Sequence, residues 1–328
     1  MVERVFMLGA TGTIGRATVQ ALRRRGHEVV CLVRQPSSGD HRSSQELSGQ
    51  LAGAMVRFGD ACDPHSLVRD GLRGEPFQVM LSCMASRTGE PADAWAIDHR
   101  AHLLALEAAQ RAGISQMILL SAICVQKPQL EFQRAKLAFE NALIESGLNY
   151  SIVRPTAFFK SLSGQLERLR RGKSFLVFGD GQLTACKPIS DEDLAEFLAD
   201  CISDPSRHRA VLPIGGPGPA LTPLEQGRLL FQALGLPERF RHVPVGLLDG
   251  IIRGLDIGGL LFPPLRKKAE LARIGRYYAT ESMLLLDPAS GRYDAQATPS
   301  TGRHTLKDFY MDLAAGRVAI DRGDHAVF

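Results

Sequence analysis

The chain has 328 residues, 45% of them apolar, enough to bury the core of one large α/β domain or of a nucleotide-binding domain with a smaller appendage. Lys and Arg (39) exceed Asp and Glu (35) by only four, which excludes the concentrated basic face of a nucleic-acid-binding domain. Six scattered cysteines (Cys31, Cys62, Cys83, Cys124, Cys186, Cys201) form no CxxC pair, so free thiols in a reducing, cytosolic compartment are expected, not disulfides or zinc.

MVERVFMLGATG reads as a strand running into a glycine loop, with no export signal expected ahead of it. Short apolar runs bounded by Gly, Pro or Asp predict strands at Val5–Leu8, Val29–Val33, Met55–Phe58, Val79–Cys83, Met117–Ser121 and Tyr150–Arg154. Helix-period segments fall between them: Ile14–Arg25, Trp95–Ala112 and Gln133–Ser146, each closed by a glycine suited to the left-handed cap. Gln35–Gly53 is polar and reads as a surface loop. The alternation predicts a doubly wound parallel Rossmann sheet over residues 1–155, with the ligand at the strands' carboxyl ends.

Beyond residue 155 the rhythm changes. A turn at Phe178-Gly179-Asp180-Gly181, a helix Glu192–Ile202, a strand Ala210–Ile214 and a helix Pro223–Leu234 predict the remaining sheet elements and a smaller substrate-side lobe over 156–328. Residues 244–285 mix Leu, Ile and Phe with Gly, a Pro-Pro pair and the basic run Arg266-Lys267-Lys268, a candidate for contact with an anionic ligand group or membrane surface. The apolar stretch Val243–Pro264 is interrupted by Asp249, Arg253 and Asp256, too broken for a membrane span.

Gly9-Ala10-Thr11-Gly12-Thr13-Ile14-Gly15 follows the first strand at once and opens a helix, the context in which three glycines let a backbone turn sharply and approach a pyrophosphate. At the end of the second strand Arg34 stands where an acid would bind a ribose 2′-hydroxyl; together with Arg16 it favours the 2′-phosphate of NADPH. Asp60, after the third strand, is placed to meet the adenine edge. Ser82, Ser121 and Pro155 end the strands that should face the nicotinamide. In short-chain dehydrogenases the following helix carries YxxxK; here it reads Phe132-Gln133-Arg134-Ala135-Lys136. Phenylalanine cannot donate a proton, so alcohol oxidation recedes, and reduction of a conjugated carbon–carbon double bond with Lys136 as the working side chain becomes the leading chemistry. Gln133 and Ser121 are the supporting candidates.

The runs Ser121-Ala122-Ile123-Cys124-Val125-Gln126-Lys127-Pro128, Phe132–Leu137, Arg154-Pro155-Thr156-Ala157-Phe158-Phe159-Lys160-Ser161-Leu162 and Cys186-Lys187-Pro188-Ile189-Ser190 resemble the NADPH-dependent divinyl chlorophyllide 8-vinyl reductases, an atypical branch of the extended short-chain dehydrogenases. The likeness runs from the glycine loop to about residue 285. It implies reduction of the 8-vinyl group of a divinyl chlorophyllide or protochlorophyllide to ethyl. A flat macrocycle needs a wide apolar cleft, and Phe158, Phe159 and Leu162 are candidates to line it. Two competing readings stand beside this one: a non-catalytic NADPH-sensing or assembly protein that has lost the phenol, and an isoflavone-reductase-like double-bond reductase for a smaller substrate. His99 and His102 lie three apart on a predicted helix, but no third ligand accompanies them and no metal is expected. Cys83 and Cys124 end strands near the nicotinamide position and read as structural thiols.

Overall fold

Strict alternation along the first apolar run sets the architecture. In β1 (Arg4–Leu8) Val5 and Met7 point to one face of the sheet and Phe6 and Leu8 to the other, all at most 1% exposed. Each such side chain contributes roughly 1.5–3 kcal/mol on burial. The computed structural model describes residues 2–35, 44–51, 53–262 and 264–319.

The strands β2 (Glu28–Val33), β3 (Met55–Phe58), β4 (Val79–Ser82), β5 (Gln116–Leu120) and β6 (Asn149–Pro155) follow. β7 (Phe175–Phe178), β8 (Ala210–Ile214) and β9 (Phe240–Val243) come later in the chain. Seven of them form one sheet in the order β3-β2-β1-β4-β5-β6-β8, every pair parallel. Strand order reverses between β1 and β4, which opens a crevice at their carboxyl ends. One face packs against the helices Thr13–Arg24 and Asp191–Asp200 through Val19, Leu22, Leu194 and Leu198; the other packs against His102–Arg111 and Glu131–Glu145 through Ala105, Ala109, Phe139 and Leu143. The doubly wound α/β fold expected from the sequence is the one observed.

β7 and β9 pair in parallel and carry a second core, built on Phe159, Leu169, Phe175, Phe231 and Tyr310. This core is separate from those on the two faces of the main sheet, to which β8 and the 191–200 helix return.

Two expectations need correction. The single helix expected over Trp95–Ala112 is a π-helix, Trp95–Ala101, followed by an α-helix, His102–Arg111. The expected loop Gln35–Gly53 holds a helix at Ser44–Gln50, followed by the buried Leu51; residues 36–43 lie outside the described ones. Residues 244–285, to which the sequence reading assigned no elements, contain two helices, Val245–Leu261 and Pro264–Thr280, that pack against each other. Among the described residues no helix is long and apolar enough to cross a membrane.

Candidate active site

The glycine loop joins β1 to the Thr13–Arg24 helix, and its three glycines differ in what demands them. Gly9 has φ +73°, and a side chain there would meet the Cys83–Met84 peptide at 2.5 Å. At Gly15 a Cβ would come within 2.1 Å of the Gly9 carbonyl. Both glycines let the loop, strand and helix close on themselves. Gly12 is different: its φ is −69°, it is exposed, and a Cβ would meet only the Gly9 carbonyl at 3.6 Å. No close contact among the described residues requires glycine there, and the position is open to an approaching ligand. Gly12 also gives the helix no side-chain cap, which leaves the first-turn N–H groups to an anion. These features fit a dinucleotide pyrophosphate over Gly12, Thr13 and Ile14.

Leu8 of β1 pairs with Leu32 of β2, so Arg34, two residues on, lies level with the loop. It is exposed, as phosphate recognition requires. Arg16 folds back on the loop and donates to the Thr11 carbonyl at 3.1 Å. Asp60 is exposed, and its carboxylate accepts from the Cys62 N–H at 2.9 Å, a local turn that holds it beside the end of β2. If Arg34 binds the 2′-phosphate, Arg34→Ala raises the NADPH dissociation constant roughly 10- to 100-fold, the effect of one charge-assisted hydrogen-bonding partner, and leaves NADH binding within about threefold. Fluorescence titration with both cofactors checks this.

Lys136 is the centre of the second cluster. Its ammonium donates to Asp98 at 2.9 Å; the carboxylate is fully buried and the lysine side chain is 13% exposed. Asp98 also accepts from the Ser86 N–H at 3.2 Å and the Ser86 hydroxyl at 2.5 Å. Burial pushes the Asp98 carboxyl up, but the Lys136 ammonium and the Ser86 hydroxyl outweigh it and hold the group below the ordinary carboxylate range. The pair draws on three segments: Ser86 follows β4, Asp98 sits in the π-helix, and Lys136 lies on the helix after β5. Trp95 donates from Nε1 to Glu131 at 2.9 Å and ties the π-helix to the Lys136 helix. Asp98 is the residue that sequence reasoning missed; a carboxylate on the inward side of a helical segment was its only signal.

Other expected residues are engaged elsewhere. The Ser121 hydroxyl donates to the buried Glu140, which pairs with Arg154, so this hydroxyl helps hold β5, β6 and the 131–145 helix together. Ser82, fully buried, donates to Nε2 of His102, whose Nδ1 donates to the Ile97 carbonyl. His102 is pushed down to about 4 by burial, with Lys136 adding to the effect, so it stays neutral and serves packing. The Gln133 side-chain oxygen Oε1 accepts from the N–H groups of Gln129 and Leu130 at 2.7 and 2.9 Å and caps its own helix. Phe132 packs with Ile123, Cys124, Ile274 and Tyr277 in a small apolar cluster. Burial raises both thiols, Cys83 to about 12, as structural cysteines require.

Pro155 ends β6 and is buried, and the chain from there carries the cleft candidates. Phe158 packs against the main core beside Ile189, and Leu162 lies half-buried between the two smaller clusters. Phe159 is only 3% exposed and stacks on Phe309 at 5.3 Å, so it belongs to the lobe's core more than to a cleft wall. Of the basic run, Arg266 donates to the Gly259 carbonyl at 2.9 Å and Lys267 pairs with Glu90 at 3.1 Å.

An NAD(P)H-binding family model matches residues 9–205, which covers the glycine loop, Arg34 and the Asp98–Lys136 pair, and the chain therefore binds a nicotinamide dinucleotide. The chain is 49% identical over 99% of its length to the chloroplastic divinyl chlorophyllide a 8-vinyl-reductase of Zea mays, 82% of which is covered. It is 48% identical over 94% of its length to the protein of the same name from Arabidopsis thaliana, 76% of which is covered. Among solved structures, an isoflavone reductase superimposes with a TM-score of 0.69 over 95% of this chain and 100% of its own, at 18% identity, a likeness of fold. Both sequence relatives are named chloroplastic, which overturns the cytosolic expectation. The inference failed for a physical reason: buried free thiols such as Cys31, Cys124 and Cys201 report a reducing environment, and they carry no information on which compartment provides it.

Proposed function

The chain belongs to the divinyl chlorophyllide a 8-vinyl-reductase family, and from that premise we propose that it reduces the 8-vinyl group of a divinyl chlorophyllide-type pigment to ethyl with NADPH. One observation carries the chemical side of this reading: a lysine fixed on a buried carboxylate, on a helix where the phenol of alcohol-oxidising relatives is replaced by a packed phenylalanine. Residues 1–155 hold the dinucleotide and residues 156–328 supply the remaining sheet elements and the pigment-side wall.

NADPH, when bound, supplies the hydride. Gly9, Thr11, Gly12, Thr13, Ile14 and Gly15 form the cradle for its pyrophosphate, Arg34 and Arg16 answer its 2′-phosphate, and Asp60 meets its adenine. Lys136 keeps one N–H on Asp98 and turns the others toward the reacting face. There it offers a positive charge to the electron density that spreads into the macrocycle, and it gives one proton, directly or through a water, to the second vinyl carbon. Hydride plus proton converts vinyl to ethyl with no further redox partner. Holding both reactants in register supplies much of the acceleration. Phe158 and Leu162 offer the apolar wall.

Incubation of the protein with divinyl chlorophyllide and NADPH deuterated at the transferred position is expected to place one deuterium in the new ethyl group, read by mass spectrometry. Unlabelled ethyl product, or unchanged pigment with the label left on the cofactor, overturns the proposal. The same mixture separates the non-catalytic alternative, which binds NADPH but leaves the pigment's absorption band where it was.

A further inference from the structure

A cavity of about 400 Å³ opens beside the glycine loop, bounded by Thr13 and Arg16 of the first helix, by Lys160, and by the starts of the 191–200 and 306–314 helices. Lys160 reaches it from the substrate-side lobe: it opens a short turn, Lys160–Ser163, just after β6. The residue before it is locked in place, with Phe159 stacked on Phe309 and its carbonyl accepting from the Ser163 hydroxyl at 2.8 Å. From this fixed base the Lys160 ammonium donates to the Thr13 hydroxyl at 3.3 Å, which puts it over the first turn of the glycine-loop helix.

The charges of the cavity divide in an informative way. Four acids line it: Asp191, Glu192 and Asp308 each sit in the first turn of a helix, where the N-terminal end favours negative charge, Asp308 also accepts from the Thr305 hydroxyl at 2.6 Å, and Asp312 pairs with Arg317 at 2.6 Å. Lys160 makes no carboxylate contact within ion-pair distance among the described residues; its side-chain partner is a neutral hydroxyl. Asp191 is pushed up to about 6, by burial first and by Glu192 second, against the pull of Lys160 and Arg16; it is still mostly ionised at neutral pH, but it forms no ion pair with Lys160. A half-buried ammonium on an immobile base, beside a helix start that has no cap of its own, is thus in direct contact with no anion among the described residues.

We propose that Lys160 binds the pyrophosphate of the dinucleotide, a cation brought by the substrate-side lobe to the phosphates that the glycine loop cradles through its backbone. The sequence reading assigned cations only to the adenosine 2′-phosphate end, through Arg16 and Arg34. Lys160 acts at the other phosphate group, and it links the cofactor to the segment that carries Phe158 and Leu162.

The test uses three probes of the full-length protein by fluorescence titration and competition: NADPH, 2′-phospho-ADP-ribose, which keeps the pyrophosphate but lacks nicotinamide, and 2′-AMP, which has no pyrophosphate. Lys160→Met is expected to weaken NADPH and 2′-phospho-ADP-ribose by a similar factor, roughly 10- to 50-fold, and to leave 2′-AMP within about threefold; Lys160→Arg restores most of the loss. Unchanged NADPH affinity overturns the proposal. So does an equal loss for 2′-AMP, which would make Lys160 a 2′-phosphate ligand, or a loss confined to NADPH, which would place it at the nicotinamide. Coincident urea midpoints for the wild type and both variants establish that the comparison is between folded proteins. A wild type that binds none of the three probes would instead undo the dinucleotide assignment itself.

Discussion

Lys136→Met is expected to lower turnover of the divinyl pigment by roughly two to three orders of magnitude, the range removed with a general acid that also answers developing charge. Methionine keeps most of the length and apolar stem of lysine and deletes the ammonium. The Asp98 carboxylate, fully buried and held by Lys136 and Ser86, then loses its cation. Leaving one partner of a buried pair behind costs about 3–5 kcal/mol, so a fall in activity alone would confound chemistry with folding. The double variant Lys136→Met/Asp98→Asn separates the two. It removes the stranded charge and is expected to recover most of the lost stability in urea unfolding while turnover stays at the level of Lys136→Met. If turnover returns with stability, Lys136 is a structural cation and the proposed mechanism fails.

The glycine loop and the central sheet were legible because they rest on local rules. Alternation in Val5–Leu8 needs no knowledge of the rest of the chain, and a glycine such as Gly9, with a positive φ and no room for a side chain, marks its turn in the sequence itself. Lys136 was legible by its spacing from Phe132. What escaped were pairings across long separations. Glu140 reads as one more acid on an amphipathic helix, yet it is buried between Arg154 and Ser121 and draws that hydroxyl away from the cleft. Ser82 is likewise taken by His102, 20 residues later in sequence. The π-helix defeated the periodicity argument most directly: one extra residue per turn changes which side chains face inward, and it is in that segment that Asp98 turns toward Lys136. The two helices of 245–280 received no assignment from the sequence, where glycine and proline interrupt the helical pattern; their mutual packing compensates for this.

Asp98→Asn carries the largest effect expected from a residue that touches neither cofactor nor pigment. Asparagine preserves the shape and still accepts from the Ser86 N–H, but it removes the charge that fixes the Lys136 ammonium. Turnover is expected to fall roughly 10- to 100-fold, with NADPH affinity within about threefold, because the lysine remains but no longer holds one position. A residue that acts only through Lys136 must lose its effect when Lys136 is absent. Asp98→Asn in the Lys136→Met background is therefore expected to change turnover by less than about twofold, whereas independent contributions would multiply. The pH dependence of stability gives a second check. A carboxylate held below its ordinary range contributes stability above the unfolded-state value near 3.8 and loses it as the pH falls through the folded-state value. The stability gap between wild type and Asp98→Asn should thus be widest near neutral pH and close in acid. A gap independent of pH, or fully additive effects on turnover, would show that Asp98 supports the fold without positioning the lysine.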